Sequence, residues 1–514
     1  MTERFDVVLV GAGHNGLIAA AELANAGRRV LVLEAGGQVG GACITREFAD
    51  GFTVSPAAHL LYQLQPRAAK LLSPAPRYAA RGLETLVLGE DARIVRYGGT
   101  TVTGVSEADR LAYSSYAKRM RRFSRLLWRW LNRVPPRLGA GRRRDTRRLL
   151  RMALELRVLG KSEMREFLRL IGANIYDDVG ENFSSELLKG GLCLDAVLGT
   201  HSGPRSPNTI MTALYRLGGA AGAYAVPAGG MGSIANGLAM TARTAGVEIR
   251  TDSPVTAILV DNGRVTGVET ADGTRIASYT VVSSADPKQT VFSLVGARHF
   301  ETGFVRRLEK LRSGGNAAKL HLALDRLPDA HGLDAEQLGQ RLLIAPGHDA
   351  VERAFNPAKY GQYSSAPVME ISIPSIHDET LAPDGQHVLS AVAQYAPYEL
   401  DGGWNAEQKR RFFEICLDTL EAHLPGVRAR IIEGELLTPV DLEEEFRMTG
   451  GHWHHAELAL DQFLFTRPVP GAAQYRAPLD GLYLCGAGSH PGGGVSGAPG
   501  LNAARAVLQR EGDQ

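Results

Sequence analysis

Residues 5–34 read FDVVLVGAGHNGLIAAAELANAGRRVLVLE, and the fold is decided there. Phe5–Val10 is an apolar run of the length of a buried parallel strand. Gly11-Ala12-Gly13-His14-Asn15-Gly16 follows directly, and Leu17–Ala26, rich in Ala and Leu, predicts a helix. Arg29–Leu33 is a second apolar strand closed by Glu34. In such a unit Gly11 permits the tight turn, Gly13 lets backbone approach a pyrophosphate, and Gly16 lets helix and strand pack closely. The helix N-terminus offers free N–H groups and the positive end of its dipole to phosphate. Glu34, twenty-three residues after Gly11, stands where a carboxylate accepts from ribose hydroxyls. Strand, glycines, helix, strand and acid in that order point to a dinucleotide. The acid favours a free 2′-hydroxyl, hence FAD or NAD over NADP.

A chain of 514 residues exceeds one core and predicts two domains. Hydrophobic residues make up 44% and charged residues 22%, a globular balance, and a net charge of +2 argues against a wholly basic nucleic-acid binder. Cys43, Cys193, Cys416 and Cys485 are scattered and form no C-x-x-C, which argues against dithiol redox chemistry and structural zinc. No apolar run reaches the length of a spanning helix, and the N-terminus lacks the pattern of a signal peptide. These features predict a soluble cytoplasmic protein.

Beyond Glu34, the pair Gly40-Gly41 lets backbone pass close to a phosphate or ring, and its position is similar to the extended FAD motif of glutathione-reductase-type flavoproteins. No Arg occurs between Arg29 and Arg46, so phosphate charge must be met by amides or from elsewhere. Ser106 to Leu131 predicts one helix: Ser106 is an N-cap with Asp109 three residues on, and Tyr113, Tyr116, Met120, Phe123, Leu127 and Trp130 form one apolar stripe. From Lys118 to Arg169 eighteen Lys/Arg face four acids. With only +2 for the whole chain, the remainder is net negative. Three readings of this basic stretch stand: a solvated helix face, an anionic membrane surface with Trp128, Trp130 and Leu126-Leu127 as anchors, and nucleic acid, for which no recognised module is present.

Tyr224–Gly237 is a glycine-rich turn entering a helix over 233–244, without the strand and acid of a second nucleotide site. Strands follow at Val247–Arg250, Val255–Asp261, Arg264–Thr270, Thr274–Ala277 and Thr280–Ser284, with Asn262-Gly263 and Asp272-Gly273 as hairpin turns. From Val291 to about Leu437, helical and strand patterns alternate without a chemical motif, as expected of an α+β substrate domain. Gly450-Gly451-His452-Trp453-His454-His455 is the densest histidine cluster. No acid or cysteine stands at ligand spacing, so no metal site is expected. On a strand, His452 and His454 would share one face and His455 the other. Gly481–Ala504, GLYLCGAGSHPGGGVSGAPGLNAA, is a second strand–glycine–helix unit, whose helix N-terminus would favour an anionic reduced flavin.

VVLVGAGHNGLIAAAELANAG, VETADGTRI with VVSSADP, GGHWHHAELALDQ and GLYLCGAGSHPGGGVSGAPGLNAAR together resemble the phytoene-desaturase and carotenoid-isomerase group of FAD proteins. Within that group the chain is most similar to the branch of pyridine nucleotide-disulfide oxidoreductase domain-containing protein 2. The resemblance implies an α/β fold, α+β overall. A glutathione-reductase-type Rossmann FAD-binding domain would be assembled from residues 1–100, 225–290 and 440–514. An α+β substrate domain from 101–224 and 291–439 would include the basic helical segment 106–170. It implies FAD held by Gly11, Gly13, Gly16, Glu34, Gly40, Gly41, Val255, Gly486, Gly488 and Gly497. His455 is the side chain it places nearest the isoalloxazine as a catalytic candidate, with Ser55, His59, His452, Trp453 and His454 around the substrate. The disulfide reductase of the branch name has no dithiol here.

The expected activity is hydride transfer from a lipophilic, polyene- or carotenoid-like small molecule to flavin N5, as a desaturase, dehydrogenase or redox isomerase. Oxygen or a quinone, rather than NAD(P)H, would reoxidise the flavin. An anionic membrane surface at the inner face would deliver the substrate, and nucleic acid is not a partner. The alternatives are a flavin amine oxidase-type enzyme, with Trp453, Tyr395 and Tyr398 as an aromatic cage, or an FAD-stabilised, non-catalytic partner-binding protein.

Overall fold

The computed structural model describes residues 3–90, 92–139, 142–218 and 223–511. The main helices are α1 (His14–Asn25), α2 (Glu107–Leu131), α3 (Arg143–Arg157), α4 (Lys161–Gly172), α5 (Glu186–Val197), α6 (Thr209–Arg216), α7 (Gly232–Thr244), α8 (Ala406–His423) and α9 (Ala498–Glu511).

Five strands form the nucleotide-type sheet: β1 (Val7–Val10), β2 (Val30–Leu33), β3 (Glu248–Arg250), β4 (Val281–Ser283) and β5 (Leu482–Leu484). Their spatial order is β3-β2-β1-β4-β5, all parallel, with Val7 opposite Val30 and Val281 opposite both Val8 and Leu482. β1, β2, β4 and β5 are wholly buried, as apolar strands covered on both faces must be. The two ends of the chain and its middle thus meet in one sheet. Val247–Arg250, grouped by sequence with the hairpins, supplies a parallel edge strand instead. Val255–Asp261, Arg264–Thr270 and Arg275–Ala277 form the expected meander.

The second unit is an eight-stranded sheet in the order Ile431–Leu437, Ala317–Leu324, His387–Gln394, Val368–Ser372, Arg341–Ile344, Thr85–Leu88, Ile94–Gly98 and Thr101–Thr103. The last three strands lie within residues 1–100 or at their edge, yet they pair here. Local pattern could not supply that pairing. Nothing in a short apolar strand says which sheet will take it.

Ser106 caps α2 by accepting from the Asp109 amide at 3.1 Å. The whole stripe expected from Tyr113 to Trp130 is buried. Leu126, Leu127, Trp128 and Trp130, expected as membrane anchors, are core residues, between 0% and 8% exposed. Trp128 stacks on Tyr215 with ring centroids 5.1 Å apart and donates to its carbonyl. That removes the four from any surface role. Among the described residues no helix is long and apolar enough to cross a membrane.

Candidate active site

At the end of β1 the chain turns through Gly11, whose φ of +91° suits glycine and whose amide donates to Leu33 at 2.8 Å. A Cβ on Gly16 would fall 2.4 Å from the Gly11 carbonyl, so α1 can start this close to the sheet only with glycine there. No side chain caps α1. Gly40 donates to Ala12 at 2.9 Å, and the Gly41 Cβ position lies 3.4 Å from Gly13 Cα, so two glycine segments face each other across the turn. The Glu34 carboxylate accepts from the Ala12 and Gly36 amides at 2.6 and 3.0 Å, which holds it at the mouth of the turn.

Gly11, Gly13, Glu34, Gly40, Gly41 and Val255 line one cleft, together with His14, Asn15, Trp453 and His455. Gly16, Gly486, Gly488 and Gly497 do not line it. Gly486 and Gly488 let the C-terminal loop pass within 2.3 Å (as would-be Cβ contacts) of Ser284 and Pro287, and Gly497 lies against Ile18. From that loop the cleft contacts fall to Ala487 and Gly494. Burial lowers the His14 imidazole to about 4, opposed by a hydrogen bond to the Gly494 backbone, and lowers His455 to about 4, opposed by Asp286. Both are neutral at pH 7. His14 Nε2, Asn15 Oδ1 and His455 Nδ1 are buried and have no protein partner. Such orphan polar atoms beside uncapped helical amides fit a ligand bearing phosphates and a heteroaromatic ring. Arg447, exposed and with φ of +55°, is the cation at this cleft, and it comes from a segment far from the glycines.

The histidine run is not a strand. Thr449–Gly451 is a 3-10 turn, and Gly450, Gly451 and His455 all have positive φ. His452 and His454 still lie together, with ring centroids 5.7 Å apart, while Trp453 and His455 face the cleft. A strained loop rather than a pleat makes the separation. Arg467, fully buried, holds this loop: its guanidinium donates to the carbonyls of His454, Ala456, Glu457, Gln462, Ala487 and Ser489. One side chain thereby ties the histidine loop to the C-terminal glycine loop. Burial lowers Arg467 to about 10.

Ser55 and His59 do not line the cleft. Ser55 Oγ accepts from the Met231 amide at 2.9 Å, and Thr45 Oγ1 accepts from Gly232 at 2.9 Å. With Asp378 accepting from Gly229, side chains fill the glycine turn before α7 and take the amides a second phosphate would need. His59 belongs to a buried polar cluster. Its Nε2 lies 3.2 Å from Glu370 and its Nδ1 3.0 Å from Lys319 Nζ, which also donates to Ser390 at 2.9 Å. Burial lowers His59 to about 4, reinforced by Lys319, and lowers Lys319 to about 7, opposed by Glu370. Arg341, 0% exposed, donates to Glu370 and Asp195 at 2.5 Å each and to Thr85 at 3.1 Å. Burial works against the Glu370 charge, yet Arg341, His59 and Arg216 hold that carboxyl well below the usual range. Sequence reasoning named only His59 of this cluster, because Lys319, Arg341 and Glu370 stand singly on separate strands. The available signal was a charge inside an apolar run, as in Ala317-Ala318-Lys319-Leu320 and Val368-Met369-Glu370-Ile371.

The cluster borders a second cavity of about 350 Å³ between the sheet and α2, α5 and α6. Leu83, Tyr113, Tyr116, Met120, Leu192 and Leu217 make its walls, while Thr85, Asp195 and Arg216 connect it to the charged groups. The two cavities flank the end of α6, where the Tyr215 hydroxyl donates to Gly493 beside the cleft and Arg216 lines the second cavity. All four cysteines are free and buried, and burial raises Cys43 and Cys485 to about 12.

The model of the family described as flavin containing amine oxidoreductase matches residues 16–508. The chain is 34% identical to pyridine nucleotide-disulfide oxidoreductase domain-containing protein 2 of Mus musculus, covering 98% of this chain and 93% of that one. It is 24% identical to the lycopene-forming phytoene desaturase of Pantoea ananas over 66% of each chain. The cyclohexylamine oxidase of Brevibacterium oxydans shares the fold, with a TM-score of 0.61 at 14% identity over 99% of this chain and 100% of that one. A dinucleotide turn at one cleft, orphan polar atoms along it and a family match over nearly the whole chain agree: the chain belongs to the flavin containing amine oxidoreductase family and is an FAD-dependent oxidoreductase of a small-molecule substrate.

Proposed function

We propose that this oxidoreductase desaturates, dehydrogenates or isomerises a lipophilic small molecule, polyene-like in character, held in the cavity of about 350 Å³ beside α6. The wall of that cavity carries the reading: aromatic rings, Met120 and leucines give an extended apolar chain its binding energy, at about 25 cal/mol per Å² removed from water. The likeness to a phytoene desaturase, an enzyme named for a polyene product, supports the same class. When bound, FAD supplies a two-electron sink for a hydride leaving a substrate C–H. The chain's own groups do the rest. Gly11, Gly13, Glu34, Gly40 and Gly41, which line the cleft, would hold the dinucleotide, and Arg447 would offer it a positive charge. His455, lowered by burial to about 4 and with a buried Nδ1 that has no protein partner, would accept a proton at the cleft or pass it to water. Oxygen or a quinone is the reoxidant, since the second glycine turn is occupied by Thr45, Ser55 and Asp378. An anionic membrane surface is the source of so apolar a substrate.

The aromatic cage expected of Trp453, Tyr395 and Tyr398 does not assemble at the cleft. Tyr395 is fully buried against Phe355 with its hydroxyl on Ser202, Tyr398 bonds Glu443, and Trp453 alone of the three lines the cleft. Mixing the flavin-loaded protein anaerobically with polyenes, terpenes and amines decides the matter. Bleaching of the flavin absorbance, or an isomerised product, with the lipids alone is expected. Bleaching by amines alone would overturn the substrate class, and no change with either would favour the partner-binding reading.

A further inference from the structure

With Trp128 and Trp130 buried, the basic region turns a different surface outward. α3 carries Leu150 and Leu154, and its C-cap Val158 continues the steps of four on the same face; they are 65%, 64% and 74% exposed. Isolated exposed leucines are ordinary, but a helical stripe of three is not. Around it stand the exposed side chains of Arg143, Arg147, Arg151 and Arg157. The acids of this region face inward or are already engaged. Glu155 accepts from Trp130, Arg133 and Arg151, Asp145 is buried beside Gln474, Glu163 pairs with Arg122, and Glu166 pairs with Arg169. The outer face of α3 therefore has an aliphatic stripe over 150–158, continued on the same line by Arg147 and Arg143 and accompanied by Arg151 and Arg157.

Ahead of this helix, Leu138, 58% exposed, borders a groove lined by Arg137, Arg142, Arg307 and Arg476 and also by Glu301 and Asp480, the last paired with Arg476 at 3.0 Å. Exposed aliphatic side chains among arginines therefore recur between Leu138 and Val158. An amphipathic helix of this kind lies in the plane of a bilayer interface, with its apolar face among the acyl chains and its arginines at anionic headgroups. Two copies of the chain meeting through this face would bring arginine rims together, which disfavours a dimer. Nucleic acid would use the arginines but gain nothing from three exposed aliphatic side chains.

We propose that the outer face of α3, centred on Leu150, Leu154 and Val158 with Arg143, Arg147, Arg151 and Arg157 around it, docks this protein onto the surface of an anionic lipid bilayer. The proposal gives a place to the membrane source suggested for the substrate and rests on that reading for its purpose, though not for its observations. The segment expected from sequence to hold the anchors, Leu126–Trp130, is not the one that touches lipid.

Vesicle binding of the full-length, flavin-loaded protein tests this without any turnover, so a wrong substrate class leaves the result unaffected. Vesicles of phosphatidylcholine with about one-third phosphatidylglycerol should be bound at least tenfold more tightly than vesicles of phosphatidylcholine alone, and the difference should shrink in high salt. The triple variant L150S/L154S/V158S should lose tenfold or more of that affinity, and R143E/R147E should lose the preference for anionic lipid. Because all five side chains are exposed, flavin content and melting temperature should match the parent protein. Equal binding to both vesicle types overturns the proposal, as does undiminished binding by the triple variant. Absence of vesicle binding, with a dimer in solution that the triple variant dissociates, also overturns it and assigns the stripe to a second copy.

Discussion

Two residues at the cleft carry separable tasks. His455 was singled out through the family resemblance, by its place after the paired glycines, and it lines the cleft. The reason for its orientation, a left-handed backbone with φ of +56° braced by Arg467 on neighbouring carbonyls, was not legible. Asn can adopt that backbone and keep a polar group there. His455→Asn should therefore retain flavin and lower kcat by tenfold or more, checked by absorbance ratio and steady-state rates; unchanged kcat would remove the histidine from the chemistry. Arg447 was invisible beforehand, because an isolated Arg after an acidic helix has no motif. Its positive charge at the cleft should matter to retention rather than rate. Arg447→Ala should release flavin about tenfold more readily in gel filtration, an effect that high salt in the parent protein should partly mimic.

At the level of elements, the pattern along the chain is a good guide where one helix or strand satisfies itself. The Ser106 cap and the apolar stripe of α2 follow from spacing, and both are present. Docking between elements follows no such local rule. α1 and α9, from opposite ends of the chain, cross so closely that a Cβ on Gly500 would stand 2.2 Å from the Asn15 carbonyl. Gly500→Ala should thus cost about 1–3 kcal/mol by overpacking. It should also loosen flavin, because the displaced turn of α1 is the one that begins at the cleft. Thermal melting with and without added FAD measures both effects, and a variant as stable as the parent would mean that the crossing relaxes freely.

For the whole molecule, burial has been pursued at the expense of charge. His14, His59, His455 and His490 are each held neutral in the fold, lowered by burial to about 4, whereas they titrate near 6.5 when unfolded. Between those values the unfolded chain binds protons that the folded chain refuses, so stability falls as pH drops from 6.5 towards 4. Each such histidine contributes on the order of a few kcal/mol to that fall. Urea midpoints measured at pH 7, 6, 5 and 4.5 should decline steadily, well before ordinary carboxylates titrate. A midpoint flat from pH 7 to 5 would show that these imidazoles gain protons in the native state.

The sequence by itself determined the dinucleotide unit, since Gly11 to Glu34 and Gly481 to Ala504 are contiguous segments whose turns, strands and helices answer to local sterics and hydrogen bonding. Tertiary structure alone decided which sheet received Thr85–Thr103, where His59 went, and which face of the basic region met solvent. Each of those outcomes depends on what packs against a residue from hundreds of positions away. The charged cluster of Arg341, Glu370, Lys319 and His59 is the clearest case: three charged groups on separate strands and a histidine from a loop become satisfied only when the sheet assembles and brings their partners within hydrogen-bond reach.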